Sequence, residues 1–263
     1  MSWRDRGWAG ADGGANFSPT GKPSVTLWIL GVTAGFLFLL WLAGGGRYGE
    51  IRVAVYDALS LRGDAWWQVW RSLTYGLLHE GFGHLIGNLF MVGLSGWIME
   101  NYFGRKTFLK IFLGLLAVSS VAFLIRAQIS GYTGICYGNS GAAVGLIVLL
   151  GSRFPRLTVL IWGIIPAQCW VIASIVVAGD LFIVAGRSGG GVAVEVHLLG
   201  AAMGFFIGYV WPRLEDWREG ASEAREPRRE AKIRQRDAEE QGEVERLLDK
   251  INREGMEELT EGE

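Results

Sequence analysis

Charge is what this chain lacks, and the lack is local. No Asp, Glu, Lys or Arg occurs in 24–43 or in 82–99. Uncharged runs of this length exclude a soluble globule over most of the chain, because a membrane-spanning helix needs about 20 mainly apolar residues. An excess of one sign is missing as well: 25 Lys and Arg stand against 26 Asp and Glu, a formal net charge of −1. That balance argues against nucleic acid or an acidic substrate as a partner. Cysteine occurs twice, at Cys136 and Cys169. The topology derived below puts them toward opposite sides of the membrane, so no disulfide is expected and both read as small apolar side chains. Histidine occurs three times, at His79, His84 and His197, always in the apolar part. Titratable groups are expensive in lipid, so the few that persist there are candidates for function.

The apolar material is ordered into segments. Residues 1–23 contain Gly, Pro, Trp3, Arg4, Arg6 and Lys22 and read as a flexible arm; Asp5 and Asp12 argue against a mitochondrial presequence. Six spans follow, at about 24–43, 82–99, 107–125, 140–153, 167–185 and 192–211, and the fold class expected is an all-α integral membrane bundle. The first run is long for a signal-peptide core and starts late, so it is read as a retained helix. Between the first two spans, 44–81 mixes charges with Trp66, Trp67, Trp70 and Tyr75, the composition of an interfacial loop with short amphipathic helices. Phe154-Pro155-Arg156 stops the fourth span, since a residue before proline leaves the helical region. Residues 157–166 are apolar but short, and are expected to be a non-spanning connection.

The charged tail, 213–263, is helix-prone and dense in Arg and Glu. Val244, Leu247, Leu248 and Ile251 form a short apolar stripe in it at helical spacing. Arg105 and Lys106, Arg153 and Arg156, the arm and the tail fall on one side of the six-span arrangement. By the positive-inside rule that side is cytoplasmic and holds both termini. The loops 44–81 and 127–137 and the glycine-rich link 187–191 then face outward.

Three short stretches carry candidate chemistry. His84 and Asn88 are four residues apart and share one helix face. Both can donate hydrogen bonds, as an oxyanion hole requires, and both could equally bond neighbouring helices. His79 and His84 are five apart, which on a helix separates them by about 140°. The zinc-protease motif needs a spacing of four, so no metal is expected. Gly138-Asn139-Ser140-Gly141 opens the fourth span and puts a serine at a helix N-terminus, where unpaired N–H groups and the dipole favour developing negative charge. By itself this is as consistent with a helix cap. His197 precedes Gly200, Gly204 and Gly208, a smooth groove, and Gly141, Ala142 and Gly145 form a similar small face. If the two faces pack, His197 reaches Ser140 within hydrogen-bonding distance. A histidine titrating near about 6.5 suits a general base. Glu195 lies roughly 200° around the helix from His197, a poor place for a third member, so a dyad is expected.

Together these stretches resemble the rhomboid intramembrane serine proteases over 24–211. Trp70-Arg71 matches the family's Trp-Arg pair in the first outward loop. His79, His84 and Asn88 match its His-x4-His-x3-Asn. Glu100 and Gly104 match its Glu-x3-Gly, Gly138 to Gly141 its GxSG, and His197, Gly200 and Gly204 its His-x2-Gly-x3-Gly. The resemblance implies a compact bundle of six transmembrane helices with an interfacial first outward loop. It implies Ser140 as nucleophile, His197 as base and then acid, and His84, Asn88 and the Ser140 N–H around the oxyanion. His79, Trp70, Arg71 and Glu100 take structural roles in it, and no cofactor is required. It implies single-span membrane proteins as substrates, cut near the outer face of a lipid bilayer, and, for a bacterial-type member, residence in the inner membrane.

Two departures stand out. Asn139 replaces an apolar residue, and Val144 occupies a position where some members place an aromatic that packs on the histidine. The alternative within the same architecture is a non-enzymatic rhomboid-like protein that binds or dislocates membrane helices; such relatives usually lack the serine or the histidine.

Overall fold

The computed structural model describes residues 24–44, 49–161, 163–186, 193–214 and, in the tail, 235–236, 241–242 and 244–246. The arm 1–23, the link 187–191 and most of the tail stripe lie outside these. Two units divide the chain, Met1–Trp211 and Pro212–Glu263; the elements below belong to the first.

The helices are α1 (Val25–Gly44), α2 (Glu50–Leu59), the single turn α3 (Arg71–Thr74), α4 (Phe82–Phe103), α5 (Arg105–Ser130), α6 (Ser140–Arg153), α7 (Cys169–Ala185) and α8 (Val194–Phe205). A π-helical turn, Phe206–Val210, continues α8. Four of these helices are long and apolar enough to cross a membrane: α1, α4, α5 and α8 with its extension to Leu214. Two shorter apolar helices, α6 and α7, fall where the fourth and fifth spans are expected. The molecule is accordingly an all-α integral membrane protein. Leu27, Trp28, Ile86, Ile125, Ile175 and Phe182 are among the large apolar side chains it turns outward, as lipid-facing positions require.

The bundle is arranged around α6. Every residue from Gly141 to Gly151 is buried, and α4, α5, α7 and α8 all pack against it. A helix apolar on all sides belongs in the middle of a bundle. The α6–α8 contact is the closest, and glycine is what permits it. A Cβ on Gly200 would lie 2.1 Å from the Gly141 carbonyl oxygen, and one on Gly204 would lie 2.0 Å from that of Gly145. The facing small-residue stripes therefore meet backbone to backbone.

Glu100 joins α1 to the end of α4. Its carboxylate accepts from the Val25 and Thr26 N–H groups at 2.9 and 2.8 Å, and from the Ser24 and Thr26 hydroxyls at 2.6 and 2.7 Å. A buried anion is thus satisfied by the orphan donors and positive dipole end of α1. Gly104, at φ 79°, is the single residue between α4 and α5; only glycine takes this backbone conformation without strain.

The stretch between α1 and α4 is built, as its composition suggests, from short helices. Arg71 is buried and donates from Nη1 to the Asp57 and Ser60 carbonyls, both at 2.7 Å. It thereby satisfies carbonyls at the end of α2. Trp70 beside it is half exposed. A two-residue strand in this loop, β1 (Leu61–Arg62), pairs antiparallel with β2 (Ile135–Cys136), just ahead of the GxSG stretch. Residues 157–166 lie in an ordered connection between α6 and α7. Thr158–Ile161 (β3) and Ile165–Gln168 (β4) form a hairpin, with Gly163 at φ 72° in its turn. The run is too short for a spanning helix, and pairing its own backbone satisfies groups a loose apolar segment would leave bare.

Candidate active site

Ser140 is the first residue of α6, and the first intrahelical bond is Ala143 N–H to Asn139 O at 2.9 Å. The N–H groups of Ser140, Gly141 and Ala142 therefore precede the ladder, at the positive end of the dipole. Fourteen residues rise about 21 Å, against a hydrocarbon core of about 30 Å.

The approach to Ser140 is fixed from several directions. Gly138 has φ 113°, and a Cβ there would stand 2.9 Å from Cε1 of His84. Its N–H donates to the Tyr75 carbonyl at 2.9 Å, while the buried Tyr75 hydroxyl donates to the Leu116 carbonyl at 2.9 Å. The β1–β2 pair anchors the same segment to the stretch between α1 and α4.

From the other side, the glycine contact between α6 and α8 carries His197 to the serine. Nε2 of His197 and Oγ of Ser140 are 2.8 Å apart. The distance expected from small-residue packing is realised, because His197 lies just under one turn before Gly200, which meets Gly141. Glu195 faces away and pairs with Arg126 at 2.6 Å, consistent with its position around the helix. The other ring nitrogen of His197 has a partner as well. Asp180 of α7 puts Oδ1 2.9 Å from Nδ1 of His197. Both side chains are largely enclosed. Val144 packs in a separate apolar cluster with Ile147, Ala173 and Ala201, and the support its missing ring left open falls to the contact between His197 Nδ1 and the Asp180 carboxylate.

Sequence reasoning missed Asp180. One signal could have raised it: an acidic residue in an otherwise uncharged apolar helix is costly and needs a partner. Its partner, seventeen residues away on another helix, is not readable from spacing.

His79, His84 and Asn88 lie together, with the hydrogen bond of Asn88 going to His79. The two rings lie 5.1 Å apart, and Nδ2 of Asn88 stands 3.0 Å from Nε2 of His79. Asn88 keeps a second amide hydrogen. His79 is fully buried, and burial, reinforced by the neighbouring His84, lowers its pKa to about 4. It is neutral at physiological pH, which leaves Nε2 able to accept from Asn88. A cavity of about 280 Å³, lined by Arg52, Tyr56, Glu80 and Tyr137 among others, borders the segment entering Gly138 but touches neither Ser140 nor His197.

The class defined by this fold and site is an integral membrane helical bundle with a serine hydroxyl on a histidine at the start of its central helix. The Rhomboid domain family model matches residues 66–213, more than half of the chain, and the chain belongs to the rhomboid family. It is 31% identical over 138 residues to Rhomboid protease GluP of Bacillus subtilis (strain 168), covering 51% of this chain and 26% of that protein. It is 29% identical over 152 residues to Rhomboid-related protein 2 of Mus musculus, covering 54% and 48%. The matched region thus spans about a quarter and about half of these two relatives.

Proposed function

We propose that this chain is an intramembrane serine endopeptidase that cuts transmembrane segments of single-span membrane proteins near the outer face of the bilayer. The observation that carries this reading is the 2.8 Å approach of Ser140 Oγ to His197 Nε2 at the N-terminus of a buried helix. Nε2 takes the hydroxyl proton as Oγ bonds to the scissile carbonyl carbon. The resulting oxyanion sits at the N–H of Ser140, with His84 and Asn88 as further donors. The C–N bond then breaks and the imidazolium returns its proton to the departing amine. Water hydrolyses the acyl-enzyme by the same steps, with His197 again as base. The name Rhomboid protease GluP for one relative agrees with this. The membrane assigned is a bacterial inner membrane, with both termini cytoplasmic by the distribution of Arg and Lys.

The test is cleavage of a model single-span substrate in reconstituted vesicles. Ser140→Ala and His197→Ala each lower the rate by several orders of magnitude while the bundle still folds. Full activity in both overturns the reading. Labelling by a fluorophosphonate, abolished in Ser140→Ala, separates it from a non-enzymatic helix-binding protein.

A further inference from the structure

The geometry points to Asp180 as the positioning residue for His197, so that this chain works with a Ser140–His197–Asp180 triad rather than a dyad; the inference rests on the protease reading above. Asp180 is 6% exposed and lies on α7, an apolar helix without another charged residue. Oδ1 meets Nδ1 of His197 at 2.9 Å, and Oδ2 has no hydrogen-bond partner among the described residues. A carboxylate removed from water is unfavourable unless something holds it, and the histidine is what holds this one.

The direction of the hydrogen bond has a chemical consequence. An ionised carboxylate only accepts, so Nδ1 of His197 carries the proton. Nε2 then has a free lone pair directed at the Ser140 hydroxyl, the tautomer a general base requires. When Nε2 takes the serine proton, the imidazolium forms beside a negative charge and is stabilised by it. The proton on Nδ1 stays there, and the Nε2 proton goes on to the leaving amine. Asp180 touches no reacting atom and acts through the ring. Among the described residues, the Ser140 hydroxyl of α6 bonds the ring and the His84 imidazole of α4 interacts with it. Glu195, on its own helix, is held by Arg126 of α5.

The test uses the full chain in vesicles with a single-span substrate. Asp180→Asn offers an amide that can donate to Nδ1 and so reverse the tautomer; in soluble triads this change lowers kcat by about 10⁴. The expected result here is a fall in kcat of more than about tenfold, with KM within about twofold. The acid limb of kcat/KM moves to lower pH, because a neutral neighbour no longer favours the imidazolium. Asp180→Glu restores part of both. Wild-type kcat in Asp180→Asn, or a loss of kcat with an unmoved acid limb, overturns the triad. Nitrogen-resolved NMR of histidine-labelled wild-type protein decides the matter even where a variant fails to fold. A proton on Nδ1 of His197, strongly downfield, supports it, and a proton on Nε2 alone overturns it. Undiminished cleavage in Ser140→Ala sinks the protease reading itself, whereas a dead Ser140→Ala beside a fully active Asp180→Asn sinks only the triad.

Discussion

Single polar side chains in this bundle act through their protonation states. His79 accepts from Asn88 only while neutral, and its folded pKa of about 4 lies below the ordinary 6.5. Between those values the unfolded chain binds a proton that the folded chain excludes, so stability falls as pH is lowered from about 6.5 toward 4. Thermal unfolding in detergent across that range should show the slope in the wild type and a flatter one in His79→Gln. Glu100 is the opposite case, an anion whose whole value is in its partners. Glu100→Ala leaves the Val25 and Thr26 N–H groups and two hydroxyls without an acceptor. It should lower stability by about 2 kcal/mol or more, with a smaller loss in Glu100→Gln, measured by the same unfolding experiment. Glu100 was legible in the sequence as part of a motif. The role of Asp180 was not, because hydrogen bonding between helices depends on where two faces meet.

At the level of elements, the α6–α8 contact determines whether the site exists at all. Two helices approach until carbonyl oxygens occupy the space where Cβ atoms would stand. Gly204→Ala must push them apart or distort one of them. It should cost about 3 kcal/mol or more, at or beyond the upper end of ordinary overpacking, because the obstruction is backbone and cannot rotate away. Gly114→Ala in α5, where a Cβ meets nothing within 4 Å, should be neutral or stabilising by up to about 1 kcal/mol. Unfolding of both variants, beside fluorophosphonate labelling of Ser140, separates lost packing from lost chemistry. The small-residue spacing made this contact readable in advance. The hairpin at Thr158–Gln168 was not, because a short apolar run looks alike as strand, helix or loop until its backbone partners are known.

For the whole molecule, the arrangement of charge assigns a sidedness that can be measured directly. Cys136 and Cys169 are buried and unpaired, so background labelling by an impermeant thiol reagent is low. In intact cells, Ile129→Cys, at an exposed position near the end of α5, should be labelled from outside. Arg156→Cys, exposed after α6, should be labelled only once the membrane is opened. The reverse pattern would invert the topology and put Ser140 nearer the cytoplasmic face. The position of Ser140 within the bundle is itself a whole-molecule property. It follows from a central helix of fourteen residues set beside the longer α4 and α5, and from the β1–β2 pair that ties the segment entering Ser140 to the stretch between α1 and α4.

The sequence by itself determined that this is a membrane bundle, where its helices begin, and which serine, histidines and asparagine are candidates. Runs without charge, caps, prolines and small-residue stripes are local signals with local physical causes. The tertiary structure alone decided how His197 is held. A hydrogen bond between side chains on α7 and α8 depends on the rotation of each helix about its axis, which the packing of both against α6 sets. Within either segment, neither the acidity of Asp180 nor the spacing around His197 contains that information.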